Sequence, residues 1–352
     1  MSDHQPVSPG RDQAYVALSS VLILVTIVTA LVVYKSSAAL RTLQKVAASG
    51  TLVARADLFH YAQGSTWSDV AARTTSYLAI IWPALVFGIL VAGAVRTLVS
   101  PAWITRLFAG ASTRQQLAAT VAGAPLMLCS CCVAPVFSAV RERSGQLGPS
   151  LAVALAAPCL NPAALALTFM LFQPRIAFMR LALALTAVLL VSSGIARLFS
   201  AHAATPVSQP ASSPCRSIAA CVVEFLRSSA HIAILTVPIL VLGIIAAMWA
   251  ATHLQTSTLA SVRPEMAIAL AAIVSVPLAM PTFFEIPLAL TLLSIGAPAG
   301  AAVAALFAGP AVNLASLLAI GRSAGWRVAA ALAIAVVTLA CLGGLLVGRF
   351  PG

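Results

Sequence analysis

The chain has 352 residues, of which 61% are hydrophobic and only 8% are charged, and its mean hydropathy is +1.02. This composition excludes a water-soluble globular protein, because too few polar side chains remain to cover a solvated surface. The net charge of +12 does not indicate a nucleic-acid partner, because the Lys and Arg residues are expected in the gaps between apolar runs. The lipid bilayer is the expected surrounding.

Uninterrupted apolar runs of about 20 residues are long enough to cross a hydrocarbon core of about 30 Å. They predict helices rather than a barrel, because strand alternation is absent and a helix satisfies its own backbone groups in lipid. The runs cover residues 16–33, 77–95, 176–195, 232–251 and 328–347.

The first of these runs follows a short polar tail and precedes Lys35, Arg41 and Lys45. A cleaved signal peptide has a shorter apolar core with positive charge ahead of it, so we predict an uncleaved anchor helix over residues 1–35. The charges after the run favour an N-terminus outside the cell. Residues 36–75 are predicted to be a polar interfacial segment.

The rest of the chain is a tandem duplication. Two stretches about 152 residues apart carry prolines and an asparagine in matching positions. We predict a first permease repeat over 76–199, a flexible linker over 200–227 and a second repeat over 228–352. Duplicated halves with interrupted apolar segments are typical of a transporter with a central binding site. The matched pairs are Pro125 with Pro277, Pro135 with Pro287, Pro158 with Pro310, and Asn161 with Asn313.

Each repeat contains one spanning helix, two proline-interrupted segments and another spanning helix. If both interrupted segments cross, the repeats are parallel; if one folds back as a re-entrant hairpin, they are inverted. The distribution of Lys and Arg differs little between these alternatives and slightly favours crossing. We therefore predict an all-α, polytopic integral membrane protein with about nine transmembrane helices (8–10).

The prolines indicate where helices break. A proline removes a backbone donor and leaves a carbonyl without its partner, which is tolerated at membrane depth only beside protein or water. A simple kink is the alternative for any single proline. The predicted broken-helix positions are Pro125, Pro135, Pro158, Pro277, Pro287 and Pro310.

Four cysteines lie in the broken segments of the first repeat: Cys129, Cys131, Cys132 and Cys159. Thiolates are soft ligands that favour copper(I), zinc and other thiophilic centres. Trivalent arsenic is thiophilic in the same sense, and a methylated arsenic centre needs only two thiols. We predict that these cysteines bind substrate, with Cys129 and Cys131 as ligands if the substrate is a metal ion. Packing as small hydrophobic side chains is the alternative.

Glu285 is the acidic residue that lies inside an apolar run, where it aligns with Val133 of the first repeat. An ionisable group at this depth is costly, so we predict a coupling role through proton exchange or cation attraction. A carboxylate that reaches water at a helix end is the alternative. Asn161 and Asn313 are predicted to bind substrate or to cap broken helices, although simple interhelical hydrogen bonds explain them equally well.

No enzyme class has support. The Gly-x-x-x-x-Gly-Lys-Ser/Thr loop and the His-Glu-x-x-His motif are both absent, so we expect neither catalysis nor a cofactor. The rival interpretation is a membrane-embedded thiol redox protein in which the cysteines exchange disulfides. A redox relay, however, needs no second, thiol-free copy of the repeat.

Three stretches resemble the YraQ-like predicted permeases, a family that includes the ArsP-type methylarsenite efflux permeases and some proposed copper or zinc exporters. They are residues 129–135 (CSCCVAP), 141–145 (RERSG) and 157–162 (APCLNP). The resemblance implies a multi-pass permease of the bacterial inner membrane with about eight spans, and substrate ligation by Cys129 and Cys131. Cys132 stands where the family usually has glycine, and the linker lacks a Cys/His-rich tract.

The sequence thus predicts a permease that exports a small thiophilic solute through a thiol-lined central site by alternating access. It leaves open the substrate, the direction of transport, the coupling ion and whether the protein forms a homo-oligomer.

Overall fold

A computed structural model describes residues 9–49, 67–99, 104, 106–108, 112–199, 218–252, 262–278 and 283–349. Every regular element in these ranges is helical, as predicted. Residues 200–217 of the predicted linker and residues 50–66 of the predicted interfacial segment lie outside the described residues, and residues 218–227 of that linker are helical.

The described helices are numbered in chain order. A 3₁₀ turn at Ala124–Leu126 and a π-helical turn at Ala187–Val191 interrupt the first repeat. The first half contains α1 (Pro9–Ser49), α2 (Trp67–Thr97), α3 (Ser112–Gly123), α4 (Ser130–Ser144), α5 (Leu147–Cys159), α6 (Pro162–Leu171), α7 (Pro174–Thr186) and α8 (Ser192–Leu198). The second half contains α9 (Ile218–Thr252), α10 (Pro264–Ser275), α11 (Glu285–Ser294), α12 (Ala299–Ala311), α13 (Leu314–Ala324) and α14 (Trp326–Arg349).

Five helical segments among the described residues are long and apolar enough to cross a bilayer. Two further pairs pass the same test as bent spans, namely α5 with α6 at 42° and α12 with α13 at 45°. The multi-span architecture with broken helices is therefore confirmed. The five segments are Val21–Ala48, Trp67–Thr97, Pro174–Leu198, Ala219–Ala246 and Trp326–Arg349.

Helices α3 and α4 form a re-entrant hairpin. A Cβ atom at Gly148 would lie 2.8 Å from Gln116 Nε2, and one at Gly123 would lie 2.9 Å from the Val153 carbonyl oxygen. Both ends of α3 therefore lie beside the corresponding parts of α5, and the two helices run parallel. Since α4 turns directly into α5, α4 runs opposite to α3.

Contacts between α2 and α4 confirm this direction. Tyr77, about a third of the way along α2, lies against Cys131 in the first turn of α4. Arg96 pairs with Glu142 near the ends of both helices, with 3.1 Å between Nε and Oε2. We call the end of the protein at which α2 and α4 finish the Arg96 end. The first hairpin, α3–α4, enters from this end and returns to it.

The second repeat has the opposite orientation. A Cβ atom at Gly300 would lie 2.7 Å from Ile268 Cδ1, so α10 and α12 begin side by side, at what we call the Gly300 end. Arg141 near the end of α4 donates from Nε to the carbonyl oxygen of Ser323, near the end of α13, at 3.4 Å. The bent span α12–α13 therefore finishes at the Arg96 end. The second hairpin, α10–α11, enters from the Gly300 end.

The repeats are thus inverted, and the described residues provide five candidate spans, or seven if each bent pair is one span, where about nine were predicted. The physical reason is length. The hairpin helices have 12 and 15 residues in the first repeat and 12 and 10 in the second. At 1.5 Å per residue, the longest rises about 22 Å, which is less than a hydrocarbon core of about 30 Å.

The hairpins bring the broken helix ends together at the centre. The returning helix of each hairpin packs against the bent span of the other repeat, α4 on α13 and α11 on α6. Helices α2 and α9 pack against each other across the repeat boundary. The start of each returning helix therefore lies between the repeats.

Candidate functional site

A cluster of three thiols occupies the tip of the first hairpin. The 3₁₀ turn that contains Pro125 ends α3, and Met127 reverses the chain with a φ of 49°. Cys129 then adopts an extended conformation as the N-cap of α4. Cys131 and Cys132 lie in the first turn of that helix, and all three side chains are buried.

The three sulfur atoms are close enough to bind one ion. Cys129 Sγ lies 2.7 Å from Cys132 Sγ and 3.2 Å from Cys131 Sγ, and the remaining pair is 3.8 Å apart. Zinc–thiolate bonds of about 2.3 Å at a tetrahedral angle separate two sulfurs by about 3.8 Å. The cluster would open by about 1 Å to hold a soft ion. The N-terminus of α4 favours negative charge on these sulfurs.

Two residues of α2 shape this cluster. The hydroxyl of buried Tyr77 lies 3.9 Å from Cys131 Sγ. A Cβ atom at Gly88 would overlap the carbonyl oxygen of Cys132, so only glycine allows this approach of α2 to α4. Nothing in the sequence distinguished Tyr77, which is the first residue of the apolar run 77–95.

Asn161 and Asn313 occupy equivalent positions at the bends of the two broken spans. Asn161 Oδ1 accepts from the backbone N–H groups of Ala163 and Ala164 at 3.1 and 3.4 Å. Asn313 Oδ1 accepts from the N–H of Ser316 at 2.8 Å. Both side chains are buried, and neither Nδ2 has a hydrogen-bond partner among the described residues. Each asparagine therefore caps a helix and keeps two donors for another partner.

Glu285 is buried in an ion pair between the repeats. It begins α11, and its Oε1 accepts from Arg180 of α7 at 2.8 Å. Arg180 also donates to the Thr168 hydroxyl at 2.5 Å. The exposed fractions of Arg180 and Glu285 are 1% and 3%, so this carboxylate does not reach water at a helix end.

Sequence reasoning missed Arg180. The expectation that Lys and Arg lie between apolar runs is wrong at this position, because Arg180 falls inside the run 176–195. A lone arginine in an apolar run is the same signal that identified Glu285. Reading both signals together would have suggested the pair.

Cys159, the last residue of α5, is buried but does not belong to the group of three thiols within 4.8 Å of one another. The charges of Arg180 and Glu285 act on it instead. The central region therefore has two parts. Cys129, Cys131 and Cys132 form one, and Cys159 with the ion pair forms the other.

The predicted prolines lie at or near the breaks. Pro135 and Pro287 lie in the first half of α4 and α11, and Pro158 and Pro310 are the second-last residues of α5 and α12. Pro277 lies in the turn after α10.

A cavity of about 260 Å³ lies towards the Arg96 end, and the cysteines are not part of its lining. Pro135 forms part of its wall, one turn beyond the cysteines. A second, narrow cavity of about 10 Å³, roughly the space one water needs, separates Ser130 and Val133 of α4 from Val312 and Ser316. The wide cavity includes Arg96, Ser138, Glu142, Thr236, Arg322 and Ser323 in its lining.

Known proteins share this sequence pattern. Residues 66–349 match the ArsP_1 family, described as a predicted permease. The chain is 26% identical to UPF0718 protein YraQ of Escherichia coli (strain K12) over 260 residues, which cover 73% of this chain and 74% of that protein. It is 27% identical over 122 residues to UPF0718 protein MJ0584 of Methanocaldococcus jannaschii, covering 34% and 33%. No solved structure matches the chain. Because the family match extends over most of the sequence and includes both repeats and the thiol cluster, this multi-pass membrane protein belongs to the ArsP_1 family of predicted permeases.

Proposed function

We propose that the protein is a permease of the bacterial inner membrane that exports a small thiophilic solute, such as a trivalent methylarsenical or a soft metal ion. The observation that carries this proposal is the buried cluster of Cys129, Cys131 and Cys132 at the tip of a re-entrant hairpin between inverted repeats. If the cysteines had only a structural role, nothing would require them to lie between the broken helices of two repeats.

In this mechanism the solute reaches the cysteines from the wide cavity and exchanges its ligands for thiolates. Each thiol that binds loses its proton. Rocking of one repeat against the other then opens the site to the Gly300 end. The free Nδ2 donors of Asn161 and Asn313 are suited to oxygen ligands that remain on the solute.

Glu285 is the proposed coupling residue. Protonation of its carboxylate would remove the charge that holds Arg180 at 2.8 Å and would release α11 from α7. The second hairpin would then be free to move, so that proton entry and solute exit are linked.

The test is solute uptake into everted membrane vesicles, with trivalent methylarsenical, arsenite, copper(I) and zinc as probes. We expect the Cys129→Ser/Cys131→Ser double variant to lose uptake while its amount in the membrane stays unchanged. Cys341→Ser is the matched control, because this cysteine of α14 lies outside the cluster. Wild-type uptake by the double variant would reject the ligand role.

One observation favours a second candidate, a membrane thiol redox protein. Cys129 and Cys132 have Cys-x-x-Cys spacing at a helix N-terminus, and their sulfurs are 2.7 Å apart. Thiol alkylation in intact cells separates the two functions. Protection that follows added solute supports binding, whereas protection that follows the cellular redox potential supports disulfide exchange.

A further inference from the structure

Helix α1 lies outside the family match, which begins at residue 66, yet one of its faces packs into the protein. Leu31 and Ala39, four residues before and after Lys35, are 0% and 4% exposed. Residues four apart lie on the same face of a helix, so Lys35 lies within this packed face and is itself half-buried. Leu24 and Val28 continue the packed face towards the N-terminus.

This face places Lys35 at the level of the cysteine cluster. The ring of Tyr34 stacks on Phe87 of α2 with 5.7 Å between centroids, and the next residue, Gly88, is the one that receives the Cys132 carbonyl. Helix α1 also contacts the Ala124–Leu126 turn at the tip of the first hairpin. The positive charge of Lys35 acts on Cys129.

A lysine in this setting needs a negative partner. In the part of the chain whose side chains are described, the carboxylate ion pairs are those of Arg96 with Glu142 and of Arg180 with Glu285, and neither includes Lys35. An ammonium group within a packed face of a membrane helix is costly unless a charge opposite to it is near. The cysteines become thiolates when they bind a metal ion, and the loaded cluster would then supply that charge.

The number of charges then distinguishes the solutes. Three thiolates around a trivalent arsenic atom are neutral, as are two thiolates around a methylarsenic centre that carries two positive charges. Three thiolates around a divalent ion keep one negative charge, and three around copper(I) keep two. Only the complex of three thiolates with a divalent ion is made neutral by one lysine, and a neutral assembly is favoured where the dielectric constant is low.

We propose that Lys35 is a specificity-determining residue that neutralises the residual negative charge of the loaded cluster, so that the preferred solute is a soft divalent cation held by all three thiolates. This inference rests on the proposed function. It also means that α1, which lies before the family match at residues 66–349, contributes to solute selection.

The experiment compares Cd²⁺ and arsenite binding to the purified full-length protein in detergent. Thiolate-to-cadmium charge-transfer absorption reports Cd²⁺ binding, and competition by arsenite against Cd²⁺ reports arsenite binding. We expect Lys35→Met to raise the dissociation constant for Cd²⁺ by about tenfold or more. The dissociation constant for arsenite, calculated from competition with the Cd²⁺ constant of the same variant, should change by less than about twofold. Lys35→Arg restores Cd²⁺ binding. Arg41→Met, an exposed position on the same helix, is the matched control and leaves both constants unchanged.

If Lys35→Met lowers the affinities for Cd²⁺ and arsenite equally, Lys35 only supports packing. If the affinity for Cd²⁺ is unchanged, the charge of Lys35 does not contribute to binding. Either result overturns the inference. The Cys129→Ser/Cys131→Ser variant separates this failure from failure of the proposed function. If that variant binds Cd²⁺ as the wild type does, the thiol site itself is rejected; if it loses binding while Lys35→Met does not, only the role of Lys35 is rejected.

Discussion

At the scale of single residues, the Arg180–Glu285 pair joins the two repeats through a buried ion pair. Two charges removed from water are costly, and their attraction offsets this cost only if hydrogen bonds satisfy the remaining groups. Arg180 has such a bond to Thr168, whose own hydroxyl donates to the carbonyl oxygen of Ala164 at 2.7 Å. Glu285 lies in the first turn of α11, where the helix N-terminus favours a carboxylate.

Removing one partner should therefore destabilise the protein more than removing both. We expect Arg180→Met to cost about 3–5 kcal/mol, because it leaves the carboxylate of Glu285 buried without a counter-charge. The double variant Arg180→Met/Glu285→Leu should regain most of that stability and still fail to transport. Thermal unfolding of the purified proteins in detergent measures the first effect, and vesicle uptake measures the second.

The pair of Arg96 and Glu142 is the matched control. Its side chains are 18% and 45% exposed, so Arg96→Met should cost less than about 1 kcal/mol. If Arg180→Met unfolds at the same temperature as the wild type, the buried pair contributes nothing to the stability of the fold.

At the scale of helices, the close approach of α2 to α4 holds the cysteine cluster in place. Gly88 permits this approach, and a methyl group there would meet the backbone carbonyl of Cys132, which cannot rotate away. We expect Gly88→Ala to cost about 1–3 kcal/mol through overpacking. It should also weaken solute binding, because α4 carries the thiols and must shift.

Gly194 of α8 provides the control for this prediction. A Cβ atom there meets nothing within 4 Å, so Gly194→Ala should be neutral or stabilise the helix by up to about 1 kcal/mol. Unfolding temperature and Cd²⁺ affinity are measured on both variants. Wild-type values for Gly88→Ala would mean that α2 does not position the cluster.

The helix scale also shows what the sequence made predictable. Prolines and the matched Asn161 and Asn313 located the breaks, because the chemistry of a broken helix is local: a missing donor and a cap. The direction of each interrupted segment is not local. Residues 116–140 contain enough apolar side chains either to cross the membrane or to fold back, and contacts such as Gln116 with Gly148 decide between them.

The residues of the candidate site likewise divide into those that local sequence predicts and those that depend on tertiary contacts. The thiol cluster was predictable because its three cysteines lie within four positions of the chain. The partner of Glu285 lies 105 residues away, and the partner of the thiols on α1 lies 94 residues before Cys129, so both depend on tertiary packing.

For the whole molecule, the inverted arrangement has a consequence for how the site opens. The two halves are related by sequence but differ in their side chains. The first hairpin carries three buried thiols and, one turn further along α4, part of the wall of the wide cavity, whereas the second carries Glu285 in a buried ion pair. An inverted repeat can exchange such conformations between its halves, so that access moves from the Arg96 end to the Gly300 end. A parallel repeat has no such exchange across the membrane.

The orientation of four short connections tests this arrangement directly. With inverted repeats, cysteines introduced at Arg143 and Arg327 react from one side of the membrane, and those at Gln173 and Ser294 react from the other. With nine spans and parallel repeats, Arg143 would instead share its side with Ser294.

The measurement is labelling by an impermeant maleimide in intact cells and in everted vesicles, on a background in which the native cysteines are serine. Ala152→Cys, at a fully buried position, controls for leakage of the reagent and should stay unlabelled in both preparations. Matched labelling of Arg143→Cys and Ser294→Cys would contradict the inverted topology, and with it the proposed exchange between the two hairpins.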